Sequence, residues 1–387
     1  MMSTTRAAFS PLHVAISASL LAPSGQDSYR SAGIHTYIAQ TLLHLPEIDP
    51  AMQFTLFAAH PPVGLDRSIA VESPRWKTDR PAQRILWEQL ALPSAVRRVK
   101  ADVLHATAFV APIIHSAPTI ITIYDLSFAL FPQYFRGFNQ TYLRVGMRLS
   151  AHRAQRLVVI SDCTRRDVHR LYHVPLDRID VAYPGVDETL KPPPSDRVAD
   201  FRRANNLPEK FLLFLGTLEP RKNLITLVRA FTQLKQTCPE AMLVLAGGMG
   251  WLADDLLAAI EASGVKDSIV LPGYVAAEDK ALWYAASAAF VYPSIYEGFG
   301  LPPLEAMACG TPVIVSNAAS LPEVVGAAGL LIVPEDVSSW AAALKRVWND
   351  AAYRTELADR GRQQAAQFTW QATAQQTLIT YRQVMKR

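Results

Sequence analysis

Hydrophobic positions fall in short unbroken runs, separated by longer stretches in which apolar residues recur every three or four places. In the first half the runs predict strands at residues 13–20, 54–59, 103–106, 120–124, 157–161 and 179–183. The 3.6-residue pattern between them predicts helices around 34–45, 83–92, 139–154 and 162–172. After Pro184-Gly185 the rhythm breaks, and Lys191-Pro192-Pro193-Pro194-Ser195-Asp196 reads as a structureless linker. The alternation then restarts with strands at 211–215, 242–246, 269–271, 289–292 and 313–315, and residues 336–387 read as consecutive helices. Strands interleaved with helices imply parallel sheets, and strands apolar throughout imply sheets covered on both faces.

At 387 residues the chain suits two domains better than one. The expected fold class is α/β, with two Rossmann-like domains facing each other across a cleft. The expected division is an acceptor-side domain over 1–190, a donor-binding domain over 191–368, and a last helix over 369–387 that returns to the first domain.

Composition removes several function classes. No apolar run approaches the ~20 residues of a spanning helix, so the chain is not expected to cross a membrane. The N-terminus carries one early arginine and a short run with polar residues, which reads as a first strand rather than a signal peptide, and the expected compartment is the cytoplasm. Cys163, Cys238 and Cys309 are far apart and odd in number, giving neither a disulfide framework nor metal-ligand spacing.

The net charge of +4 is modest, but residues 1–195 hold 20 Lys/Arg against 15 Asp/Glu. The excess peaks at Arg136, Arg144, Arg148, Arg153, Arg156, Arg165, Arg166 and Arg170, opposed by Asp162 and Asp167 alone. Two readings stand, a solvated surface or peripheral contact with an anionic membrane at the inner face of the cytoplasmic membrane. Without aromatic interleaving, nucleic acid is not an expected partner.

The chemistry concentrates in Tyr296-Glu297-Gly298-Phe299-Gly300-Leu301-Pro302-Pro303-Leu304-Glu305, which leaves a predicted strand and enters a short helix. Gly298 and Gly300 admit positive φ and close approach of a ligand to the backbone. Carboxylates accept hydrogen bonds only, which suits sugar hydroxyls, and the helix start, with its free amides turned toward the loop, is expected to attract a diphosphate. By themselves two glutamates around a Gly/Pro turn read equally as a solvated loop.

A second group lies in Gly216-Thr217-Leu218-Glu219-Pro220-Arg221-Lys222-Asn223, the first strand-to-helix turn of the second half, with Asn223 as the expected helix cap. Ligands on open parallel sheets bind beyond the carboxyl ends of strands, where Arg221 could fork onto phosphate and Lys222 add a point charge. Pro272-Gly273-Tyr274-Val275 makes another turn on the same edge, and Gly33 opens the first helix, either as a phosphate contact or as an ordinary helix entry. Neither G-x-G-x-x-G after a first strand nor a P-loop pattern occurs, which weakens dinucleotide and P-loop readings.

On these residues the chain resembles the retaining GT-B glycosyltransferases of group one, also called family four. The resemblance covers nearly the whole length and is strongest from Ser294 to Ile332, including Ala308-Cys309-Gly310-Thr311-Pro312-Val313-Ile314 and Leu321-Pro322-Glu323-Val324-Val325. Ile160-Ser161 and Pro184-Gly185-Val186-Asp187 agree independently. It implies that Glu297 meets the donor sugar hydroxyls, that Glu305 binds the ribose, and that Arg221 and Lys222 neutralise the leaving diphosphate without an essential metal or other cofactor. It further places Gly33, Gly216, Gly298, Phe299, Gly300 and Leu301 around a GDP- or UDP-sugar, with Tyr274 and Val275 near the base.

Many relatives carry His-Asp where this chain has Tyr124-Asp125, which puts in doubt a hydrogen bond to the far end of the sugar; Asp125 is kept as a catalytic candidate. Asp125-Leu126-Ser127-Phe128 with Phe131-Pro132 looks most like mannosyl and related hexosyl transferases of surface-polysaccharide assembly, acting on a glycan or lipid-linked glycan. Two rivals remain. An epimerase of the GT-B type would release nucleotide and an altered sugar without acceptor, and an idle binder would hold donor without turnover.

Overall fold

The computed structural model of the chain describes residues 11–21, 32–74, 76, 78, 80–115, 117–134, 138–250 and 253–385. Arg136 and the N-terminal residues 1–10 lie outside them, and so do the expectations placed there.

Thirteen described strands form two wholly parallel sheets. The first has the order β3-β2-β1-β4-β5-β6-β7, made of β1 (His13–Ser17), β2 (Gln53–Phe57), β3 (Ile69–Glu72), β4 (Val103–Ala106), β5 (Thr119–Ile123), β6 (Arg156–Val159) and β7 (Ile179–Val181). The second has the order β10-β9-β8-β11-β12-β13, made of β8 (Leu212–Leu215), β9 (Leu243–Ala246), β10 (Ile269–Gly273), β11 (Ala289–Tyr292), β12 (Val313–Ser316) and β13 (Leu330–Ile332). In each, order reverses beside the first strand, so the loops leaving β1 and β4, or β8 and β11, diverge and leave a crevice. The two Rossmann-like units turn their carboxyl edges toward each other. Every residue of β8, β9, β11 and β12 is buried, as a sheet with both faces covered requires.

Two strands differ from the sequence reading. β3 falls where the sequence predicts no strand, because only Ile69 of its four residues is buried. β13 is half-exposed along its length. Both are edge strands, where one flank lacks a partner and the apolar signal thins. The linker also differs: a helix, Ser195–Ala204, starts inside the stretch read as structureless, because Pro194 ends extended and Ser195 can begin a turn.

The last helix, Trp370–Met385, packs along helix Ala32–Ile48 on the first sheet. The Tyr381 hydroxyl lies 2.7 Å from His105 Nδ1, Thr380 Oγ1 donates to Asp180 at 2.9 Å, and Arg382 pairs with Asp49 at 2.6 Å.

The run of arginines does not form one basic face. Arg156 lies in β6, nearly buried, and forks onto both oxygens of Asp180 at 2.6 Å. Arg165 and Arg166 pair with Asp162, and Arg170 pairs with Asp167.

Candidate active site

β8 ends at Leu215, and Gly216 turns the chain with φ of +154° into a loop closed by one 3-10 turn, Pro220–Lys222. Asn223 then takes a left-handed conformation, φ 55°, which asparagine tolerates better than most residues. It makes no side-chain bond to a helix amide, contrary to the expected cap. Its Oδ1 instead accepts from the Thr226 hydroxyl at 2.8 Å, and its Nδ2 donates to Pro334 O at 2.8 Å, tying this turn to the far end of the sheet. Arg221 and Lys222 are thereby held over the carboxyl edge.

β11 delivers the second group. Gly300 caps helix Leu301–Ala308 with φ of +115°. The donor supply of this helix end is smaller than expected: Pro302 and Pro303 occupy its first turn and carry no N–H, which leaves the amides of Gly300 and Leu301 among the first four. Gly298 sits where a Cβ would fall 2.1 Å from Tyr124 O, so only glycine lets this loop touch the first unit.

Glu297 is the hub. Its Oε1 accepts from Lys222 Nζ at 2.6 Å, Ser294 Oγ at 2.5 Å and Tyr292 OH at 3.1 Å, while Oε2 lies 3.2 Å from Arg221 Nη1. Burial would raise this carboxyl, but Arg221 and then Lys222 outweigh it and hold it down at about 2. Arg221 also donates to Glu219 Oε1 at 2.8 Å and Tyr296 O at 2.6 Å; burial opposes its charge, and Glu297, Glu219 and Asp125 more than restore it. Burial, with Arg221 beside it, pulls Lys222 down against the attraction of Glu297 and Glu219. Its Nζ still donates to the ionised Glu297.

Glu305, one turn into the helix, accepts from Lys280 Nζ at 2.9 and 3.1 Å and from Tyr284 OH at 2.8 Å. Burial acts against the Lys280 ammonium, and Glu305 overrides it, so its pKa is raised.

One cavity of about 460 Å³ joins these groups. Its wall takes Gly216, Arg221, Lys222, Glu297, Gly298, Phe299, Gly300, Leu301 and Glu305 from the second unit, and Gly33, Tyr124 and Asp125 from the first. A Cβ on Gly33 would meet only Leu301 Cδ1, at 3.9 Å across the cleft, so this helix start stands open to the cavity. Tyr124 lines the cavity, while its hydroxyl donates away to Thr107 O at 2.8 Å. Asp125 Oδ1 accepts from the Ser127 amide at 3.0 Å and hydroxyl at 2.7 Å, which fixes the carboxylate at the rim. Tyr274 and Val275 are not among the lining residues; Tyr274 is half-exposed, with its phenol near enough to act on Lys280.

Sequence reasoning passed over Lys280, Glu219 and Tyr292. Lys280 belongs to no motif and reaches Glu305 across 25 positions; Tyr292 reads as strand core until its hydroxyl is placed on Lys222 at 2.6 Å.

The two units also touch directly. The Glu323 carboxylate of the second accepts from the amides of Asp162 at 2.9 Å and Cys163 at 3.0 Å, capping helix Asp162–Tyr172 of the first. Further along that helix, Asp167 Oδ2 accepts from Tyr296 OH at 2.9 Å.

A model of glycosyltransferase family 4 matches residues 32–190, and one of glycosyl transferases group 1 matches residues 197–364. The O-antigen chain mannosyltransferase B of Escherichia coli is 35% identical over 291 residues, 74% of this chain and 76% of that protein. The chain belongs to glycosyltransferase family 4. The transferase is also similar to a D-inositol 3-phosphate glycosyltransferase of Paenarthrobacter aurescens, 32% identical over 237 residues, 60% of this chain and 58% of that one. Among solved structures, a sucrose-phosphate synthase from Thermosynechococcus elongatus aligns with a TM-score of 0.77 at 22% identity, covering 97% of this chain and 99% of that one. Anabaena HepE in complex with UDP and glucose aligns at 0.73 and 21%, covering 95% and 98%. The transferase has the GT-B fold of these neighbours, two Rossmann-like units with the cavity between them.

Proposed function

We propose that this transferase moves mannose, or a related hexose, from a GDP- or UDP-sugar to a hydroxyl of a glycan or lipid-linked glycan, with retention of configuration and without a metal. The single observation that carries the reading is the convergence of Glu297, Glu305, Arg221 and Lys222 on one cavity between the units. Glu305, steadied by Lys280 and Tyr284, suits the two hydroxyls of a ribose. Glu297, ionised and acceptor-only, suits the hexose hydroxyls. Arg221 and Lys222 stand where a diphosphate between those ends falls, and charge developing on the leaving diphosphate draws them toward it, lowering the barrier electrostatically. The acceptor hydroxyl enters from the first unit, past Asp125, on the face from which the diphosphate departs. The mannosyltransferase at 35% identity and the UDP-bound neighbour support the sugar class and the donor type.

The same reading has the enzyme act in surface-polysaccharide assembly, in the cytoplasm at the inner face of the cytoplasmic membrane, and the similarity to an O-antigen chain mannosyltransferase supports the process. The test is a thermal-shift screen with GDP-, UDP- and ADP-sugars, since a ligand of the folded state raises its apparent stability. NMR of the product from the best donor, formed with and without EDTA, then reads the anomeric outcome. An inverted linkage, or activity abolished by EDTA and restored by a divalent cation, would defeat the retaining or the metal-independent part. Release of an altered sugar without acceptor would favour an epimerase.

A further inference from the structure

Away from the cleft, the first unit carries an exposed apolar patch that its core does not explain. The chain runs through Pro81–Leu86, a π-helical turn Trp87–Ala91, and Leu92–Arg98 as one helix. Leu86 and Leu90, one turn apart, face outward, with Leu90 65% exposed. Beside them the loop after β4 lifts Ile113 and Ile114 into solvent, Ile114 to 81%. Val145, 56% exposed, and Leu149 follow on helix Phe138–Arg153, again one turn apart.

Four hydrogen bonds make these segments one surface. Gln89 bridges the first helix to the loop, donating to Ala111 O at 3.3 Å and accepting from the Ile113 amide at 3.0 Å. It also reaches Tyr142 OH on the second helix at 3.5 Å. Arg153, from the end of that helix, donates to Ile113 O at 2.9 Å.

The charge on this surface has one sign. Arg144 and Arg148 alternate with Val145 and Leu149 on the outward side of helix Phe138–Arg153, followed by His152 and Arg153. No acidic residue occurs in that helix or in residues 110–115, and the single acid of 81–98, Glu88, is buried with its carboxylate taking a hydrogen bond from the Ser19 hydroxyl. Six exposed branched aliphatic side chains flanked by arginines, with outward carboxylates missing from these three segments, match the boundary of an anionic bilayer: acyl chains accept the aliphatics and lipid phosphates accept the guanidinium groups. Helix Phe138–Arg153 belongs to the same unit as Tyr124 and Asp125 of the cleft, so a surface docked here holds that unit at the bilayer.

We propose that the face formed by Leu86, Leu90, Ile113, Ile114, Val145 and Leu149, with Arg144 and Arg148, docks the enzyme on anionic phospholipid bilayers. It rests on the reading that the acceptor is held at a membrane, and it names the surface that meets it. Helix Phe138–Arg153 lies in the plane of the headgroups, and Ile114 and Leu90 insert as the deepest anchors.

The experiment is co-sedimentation of the full chain with phosphatidylcholine vesicles, with and without phosphatidylglycerol, alongside transfer to a short water-soluble glycan. The wild type is expected to bind only the anionic vesicles and to release as salt rises. Leu90→Glu with Ile114→Glu is expected to lower partitioning at least about tenfold, and Arg144→Gln or Arg148→Gln about fivefold each. Transfer to the soluble glycan stays unchanged in all of them, since none touches the cleft. Wild-type protein that transfers to soluble glycan yet ignores anionic vesicles would overturn the surface and leave the proposed function standing. Vesicle binding without hexose transfer from any donor would do the reverse. A dimer that Ile114→Glu dissociates, with no lipid binding, would reassign the face to a second copy of the chain.

Discussion

Lys222 Nζ stands 2.6 Å from Glu297 Oε1, across 75 positions of sequence, and the two meet because β8 and β11 are neighbours that release their loops at the same edge. Lys222→Ala should lower kcat about 10²-fold, the scale of losing one charge-stabilising group. Glu297→Gln should add a structural penalty, because Lys222 would remain buried without its carboxylate while Arg221 keeps Glu219 alone, at a cost of about 3–5 kcal/mol. Steady-state kinetics and denaturant unfolding on both variants separate the effects. A fully active Lys222→Ala enzyme removes the leaving-group role.

Gly298→Ala tests the contact between units. The added methyl carbon would lie 2.1 Å from Tyr124 O and 2.9 Å from Asp125 Cβ, backbone and near-backbone atoms that cannot yield. The units must then part. The expected result is a far-UV circular dichroism spectrum like the wild type's, a larger radius of gyration in small-angle scattering, and a severe loss of kcat/KM. Unchanged scattering and activity would mean that the contact is dispensable.

Glu323 offers a milder test of the same closure. Burial raises its carboxyl pKa, and the Cys163 and Asp162 amides pull it back by binding the ionised form. Glu323→Gln keeps one acceptor oxygen and should cost less than Glu323→Ala, which leaves two helix-start amides without this partner, about 1–3 kcal/mol for each one left buried. The order wild type, Gln, Ala is expected in both thermal midpoint and donor affinity. Equal behaviour of Gln and Ala would deny the amide contacts any weight.

His105 sets a pH dependence. Burial holds it down at about 3, so the folded chain keeps it neutral where an unfolded histidine, near 6.5, takes a proton. The unfolded state therefore binds more protons as pH falls below about 6.5, and stability declines from there toward pH 3, by up to about 1.4 kcal/mol per pH unit for one such group. Glu297 acts lower: its depressed pKa contributes stability that is full above the ordinary carboxylate range and is lost as pH falls toward about 2. Guanidinium unfolding between pH 7 and pH 5 should thus show a slope that His105→Gln reduces and Glu297→Gln does not.

Much of the fold was legible because each buried parallel strand must be apolar along its whole length, and runs such as Leu212–Leu215 and Ala289–Tyr292 stand out for that reason. Edges were less legible: β3 buries one residue of four, too few to mark a strand. At the site, Glu297 and Arg221 could be placed on strand-exit loops because motif spacing and Gly/Pro turns are local. Lys280 could not, since nothing near it in sequence points to Glu305.

The alternation of the buried strands with helices, the two α/β units, and the position of Arg221, Lys222 and Glu297 on strand-exit loops, with Glu305 in the helix that follows, were legible in sequence, because burial periodicity and turn chemistry act over a few residues. Three things waited for tertiary structure: the pairing of Lys280 with Glu305, the Glu323 cap on a helix of the other unit, and which arginines face solvent rather than an aspartate. Each depends on where separate elements pack, and packing sets distance, burial and hence charge state in ways that spacing along the chain does not encode.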